Sequence, residues 1–145
     1  MKLNNFVICD DIRTEISKKY SLIGLYDDAI IFNTTPDKKN TWPKSMRISF
    51  LINLQIDEGE IGNYSSFKFV TFYNKKRIEI GSGTIENKTA NKIILPVVIP
   101  MFQFIESGEM SFCFEFSDRD GKLINTFPFE KTIKISENTD FTKSN

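Results

Sequence analysis

Between Met46 and Ile56 every second residue is apolar. Met46, Ile48, Phe50, Ile52, Leu54 and Ile56 alternate with Arg47, Ser49, Leu51, Asn53 and Gln55. Successive side chains of a strand point to opposite faces, so this pattern predicts a long strand over residues 45–57 with one buried face. A helix would scatter the same apolar residues around its axis. The pattern recurs later in the chain. Phe67, Phe69 and Thr71 alternate with Lys68 and Val70 and lead to Tyr73. Phe112, Phe114 and Phe116 alternate with Cys113 and Glu115, and Phe127, Phe129, Ile133 and Ile135 share a parity. Residues 6–12 and 21–26 read as the first two strands, and residues 77–85 and 92–99 as two more.

Turn residues separate these runs. Asp57-Glu58-Gly59-Glu60-Ile61-Gly62-Asn63 ends the long strand, Asn74-Lys75-Lys76 reads as a tight turn, and Gly81-Ser82-Gly83 predicts a bulge. Asp118-Arg119-Asp120-Gly121-Lys122 predicts a hairpin turn, with Gly121 free to take positive φ. Residues 34–43 are polar with two prolines and read as an exposed loop. No segment has a 3.6-residue period; residues 27–31 have room for one helical turn at most. Pro96 and Pro100 place their strand at an edge or a bulge. About eight short strands at regular spacing predict an all-β, antiparallel two-sheet β-sandwich. The 14 phenylalanines suit the layer, ~10 Å thick, between facing sheets. One domain over residues 1–136 is expected, with a frayed polar tail over 137–145.

Composition narrows the functional classes. Lys and Arg total 19, as do Asp and Glu, so no general charge draws the chain to nucleic acid or to an anionic membrane. No apolar run nears the ~20 residues that span a bilayer. Residues 1–6 hold one Lys and no apolar core, so no signal peptide is expected. Cys9 and Cys113 both lie in apolar runs and read as reduced, buried thiols of a cytoplasmic protein. Histidine is absent, which removes Ser-His-Asp and Cys-His catalysis, His-bearing zinc sites and an imidazole switch near neutral pH.

The candidate binding residues are Asp10, Asp11, Arg13 and Glu15 of the first strand, and Trp42. Acids in a strand that is otherwise apolar are costly unless paired, and Arg13 can hold a carboxylate by two parallel hydrogen bonds. The cluster is therefore either an ion-pair network fixing the first hairpin or a polar pocket. Trp42, the only tryptophan, either caps the core from its loop or anchors a partner. Asp27-Asp28, Asp57-Glu58-Glu60 and Asp118-Asp120 read as turn residues; only loops gathered at one end would let them bind Ca²⁺ through oxygen. Glu79, Glu86 and Glu115 have no spacing that marks a glycosidase pair. Lys75-Lys76-Arg77 lies beside Phe72 and Tyr73, a combination that can stack and neutralise a nucleotide. No catalytic residue, metal ligand or cofactor is assigned.

The opening Phe6-Val7-Ile8-Cys9-Asp10-Asp11-Ile12-Arg13-Thr14-Glu15, followed by Leu22-Ile23-Gly24-Leu25-Tyr26, resembles a family of small uncharacterised bacterial all-β proteins. Their start is of the C-D-x-[IV]-R-x-E kind, followed by an L-I-G-x-[FY] strand. The stretch from Gly108 to Phe129 is similar to the end of immunoglobulin-like or C2-like sandwiches. The resemblance implies a bacterial or phage-related β-sandwich and carries over no catalytic residue. The expected function is a non-catalytic binding or protein-interaction module whose partner is another protein or a second copy. The rival expectation is a small-molecule or Ca-type metal-binding protein or enzyme using carboxylates of the first hairpin and end loops.

Overall fold

The computed structural model describes residues 1–140. The long alternation forms β4 (Lys44–Gln55), preceded by β1 (Lys2–Thr14), β2 (Tyr20–Tyr26) and β3 (Ala29–Asn33). It is followed by β5 (Ser66–Tyr73), β6 (Lys76–Thr84), β7 (Lys92–Phe104), β8 (Gly108–Ser117) and β9 (Leu123–Asn138). One sheet has the order β2-β1-β4-β7 and the other β3-β9-β8-β5-β6; they are called here the β1 sheet and the β9 sheet. No helix among the described residues is long and apolar enough to cross a membrane.

The described residues form nine strands, one more than the eight expected. The addition is β3, where the sequence left room for a helical turn. It runs parallel to β9, with Ile30 opposite Ile135, and among the described residues this is the one parallel pairing in an otherwise antiparallel arrangement. Five residues are too few to display a period, and β-branched Ile30 and Ile31 favour the strand. β9 also continues through Glu137 and Asn138, two residues into the expected tail; residues 141–145 lie outside the described ones.

The buried side chains of both sheets join in one cluster. Phe6 and Phe50 come from the β1 sheet, Phe69, Phe112 and Phe129 from the β9 sheet. Their rings meet across the layer, Phe6 to Phe129 at 4.9 Å and Phe50 to Phe69 at 5.4 Å between centroids. Such edge-to-face contacts add about 0.5–1.5 kcal/mol each to the burial term.

Local signals place the turns. Asn74 and Lys75 both take positive φ (47° and 69°), as a two-residue hairpin loop requires, and Tyr73 pairs with Lys76 across it. Asp118 Oδ1 accepts from the backbone N–H groups of Asp120 (2.9 Å) and Lys122 (3.0 Å), and Gly121 has φ 79°. Near the expected glycine bulge, Phe69 pairs with Gly81 but Val70 with Glu79, so Ile80 is the extra residue. β7, which carries Pro96 and Pro100, is an edge strand, where a missing N–H costs no ladder bond.

Candidate interaction surface

The alternation that buries one face of the β1 sheet fixes what the other face shows. Phe6 and Ile8 point inward with Phe50 and Ile52, so the odd-numbered residues of β4, and of β1 from Asn5 onward, point outward. The register then builds apolar rows. Leu25, Cys9, Ser49 and Val98 stand side by side across the sheet, and Val7, Leu51 and Pro96 form the next row. Ile23 and Ile94 extend the patch at opposite corners. Leu25 is 65% exposed, Ile94 47% and Val98 37%, while Cys9 and Ser49 between them are fully covered.

The outer face of the β9 sheet is different. There Lys68 pairs with Glu79 at 3.2 Å and Arg77 with Glu115 at 2.6 Å, above buried Val70 and Cys113. An antiparallel sheet with one solvated face normally carries polar residues on it. The β9 sheet follows that rule except at Ile31, which is 55% exposed, whereas the β1 sheet mixes Asn5, Asn53, Asp11 and Arg47 with several apolar residues. The β1 sheet thus leaves Leu25, Ile94 and Val98 exposed on its outer face, around covered Cys9 and Ser49.

The first-strand cluster is divided between these surroundings. Asp11 lies on the outer face at the edge of the patch. Arg47 of β4, not Arg13, holds it: Nε and one terminal nitrogen donate to the same oxygen, Oδ1, at 3.0 and 2.7 Å. This corrects the expected Arg13 clamp. Arg13 stands two residues along the same strand, reaches Asp11 only at 3.7 Å and is otherwise exposed, whereas Arg47 projects from the neighbouring strand. The Arg47 hydrogen bonds hold the Asp11 carboxyl below the usual carboxylate range. Glu15 takes no arginine either; it accepts from the Ser21 hydroxyl at 3.0 Å.

Asp10 has the opposite parity. Its Oδ1 accepts from the Tyr26 hydroxyl at 2.5 Å, and burial, then Asp10, pushes the Tyr26 phenol up. The carboxyl lies over Gly24, which has φ 69°; a Cβ there would stand 2.1 Å from Asp10 Oδ2. Gly24→Ala should cost at least about 1–2 kcal/mol from the left-handed backbone, and more from the clash. Thermal melts should show a lower Tm for Gly24→Ala, with part of the loss recovered when Asp10→Ala is added. No recovery would mean that Asp10 does not press on this glycine.

Trp42 sits away from the patch. It is half-buried, meets Phe32 edge-on at 5.9 Å, and has Lys44 Nζ 4.9 Å from its ring centre. Glu137 pins this loop, pairing with Lys44 Nζ at 2.7 Å and accepting from the Asn40 backbone N–H at 2.9 Å. The structure thus brings Asp11 and Arg13 to the rim of the patch, and Asp10, Glu15 and Trp42 elsewhere.

Among the described residues, no three His, Cys, Asp or Glu side chains gather so as to hold a metal ion. Glu79 and Glu115 are taken up in the ion pairs above. Tyr73 is buried with its hydroxyl on the Glu106 carbonyl, and Arg77 is held by Glu115, so neither is presented to a stacking base. Cys9 and Cys113 are free thiols on different sheets. Burial first, then Glu115, pushes the Cys113 thiol up to about 11. Burial likewise raises Cys9. Since the thiolate is the nucleophile, Ellman's reagent at pH 8 should find no reactive thiol in the native protein and two after unfolding in guanidinium. A stoichiometric native reaction would contradict this burial.

The patch had a sequence signal. Leu51 is the apolar residue in the polar phase of the long alternation, and residues 93–99 are apolar without a break. Both mark strands apolar on two faces. No protein-family model matches the chain, and no curated protein matches it either.

Proposed function

We propose that the chain is a non-catalytic protein-interaction module working through the outer face of the β1 sheet, with a second copy as the occupant. The apolar rows around Leu25, Leu51 and Val98, set against the ion-paired face of the other sheet, carry this reading. Asn5 and Asn53 at one end and the Asp11–Arg47 pair at the other supply the polar rim that interfaces place around an apolar centre. Net charge is zero, so nothing general holds two copies apart. Pro96 and Pro100 interrupt the edge of β7, which favours face-to-face over edge-to-edge contact.

The shared buried cluster supports a β-sandwich, and the similarity of the stretch from Gly108 to Phe129 favours an immunoglobulin-like or C2-like type. The free buried thiols fit a reducing, cytoplasmic setting, and the opening motif fits a bacterial or phage-related origin. Light scattering across a concentration series tests the function: a dimer supports it, and a monomer at every concentration contradicts it.

A further inference from the structure

A different surface lies on the side where β1 and β9 face each other. β2 covers β1 only from Ile8, its pairing ending at Ile8 opposite Tyr26. β3 covers β9 only from Lys134. Before those points, among the described residues, β1 over residues 2–7 and β9 over residues 123–133 each have a ladder neighbour on one side only. Between these bare edges runs a cleft of about 610 Å³, floored by Leu3, Phe6, Phe127 and Phe129.

Both strands are irregular where they line it. Leu3 and Asn5 of β1 pair with the adjacent Leu54 and Asn53, so Asn4 is an extra residue. Ser111 and Cys113 pair with Thr132 and Pro128, a step of two on β8 against four on β9. Bulges concentrate at sheet edges and next to functional sites, where they re-aim side chains. They also spoil an edge for pairing, as does Pro128, which lacks an N–H. The β9 edge has both its long bulge and Pro128; the β1 edge has one extra residue and no proline. The β1 edge is therefore the one fit to accept a new strand.

We propose that this cleft binds an extended segment of another protein, added to β1 as a strand in line with β2. Main-chain hydrogen bonds to residues 2–7 would hold it, and alternate apolar side chains would rest on Phe6, Phe127 and Phe129. At ~3.3 Å per residue the bare stretch matches a segment of about six residues. Among the described residues, the rim cations Lys2 and Lys131 have no ion-pair partner and the rim has one anion, Glu130, which favours an acidic residue in the ligand.

A displayed library of random peptides of about eight residues, selected on the purified protein, tests this. Enriched peptides should be apolar at every second position and carry an acid. Fluorescence anisotropy should show a loss of tenfold or more when alternate backbone nitrogens are methylated. Lys131→Glu should weaken binding several-fold, whereas Leu25→Glu, on the other surface, should leave it unchanged. Amide resonances of residues 2–7 should shift on titration. No enrichment, indifference to N-methylation, or shifts elsewhere would each overturn the proposal.

Discussion

Phe50→Ala should lower the melting temperature by about 10–15 °C. Phe50 is fully buried and its ring meets Phe6, Phe69 and Phe112, drawing on both sheets. Truncating a buried Phe costs about 3–5 kcal/mol, through lost transfer energy and the cavity left behind. For a domain of this size that is about 3 °C per kcal/mol. The loss is a large share of the 5–15 kcal/mol that typically holds a domain together. Lys122→Ala is the control: it is exposed in the Asp118 turn and should change stability by less than about 0.5 kcal/mol. Calorimetry or circular dichroism reads both. A fall of only a few degrees for Phe50→Ala would mean that the two sheets do not share this core.

Leu25→Glu combined with Val98→Glu should abolish self-association and leave the fold intact. Both side chains are exposed in the single chain, so their replacement removes little from the core. In a two-fold dimer each substitution acts twice, because the same patch lies on both sides of the contact. Four carboxylates enter an apolar interface without partners. At no less than about 1 kcal/mol each, the dissociation constant should rise about 1000-fold, since 1.4 kcal/mol is tenfold. The Asp11–Arg47 pair is a counter-test. It lies at the rim, and exposed rim charges contribute little affinity, so Asp11→Asn should change dimerisation far less than the double variant.

The strands were legible in the sequence to the extent that they alternate. β4 emerged almost to the residue because its inward side chains are all large and apolar, and β5 and β8 followed from phenylalanine parity. β3 did not, because it is short and its partner β9 lies about a hundred residues away, a pairing that no local pattern encodes. The site was legible only in part. Asp11 and Arg13 stand out as polar residues in an apolar strand, and they lie on the outer face beside the apolar rows. Its centre went unread, since Val7, Leu25, Leu51 and Val98 belong to four strands and become neighbours only through the register. Arg47 was missed as the partner of Asp11 for the same reason: it arrives from β4 across the ladder, while Arg13 was merely near in sequence.

Light scattering of the wild type beside Leu25→Glu/Val98→Glu decides whether two copies meet through the β1-sheet face. The wild type should show twice the chain mass and the variant the mass of one chain, with matching circular dichroism spectra. Equal masses for the two proteins, whether both monomeric or both dimeric, would contradict that contact.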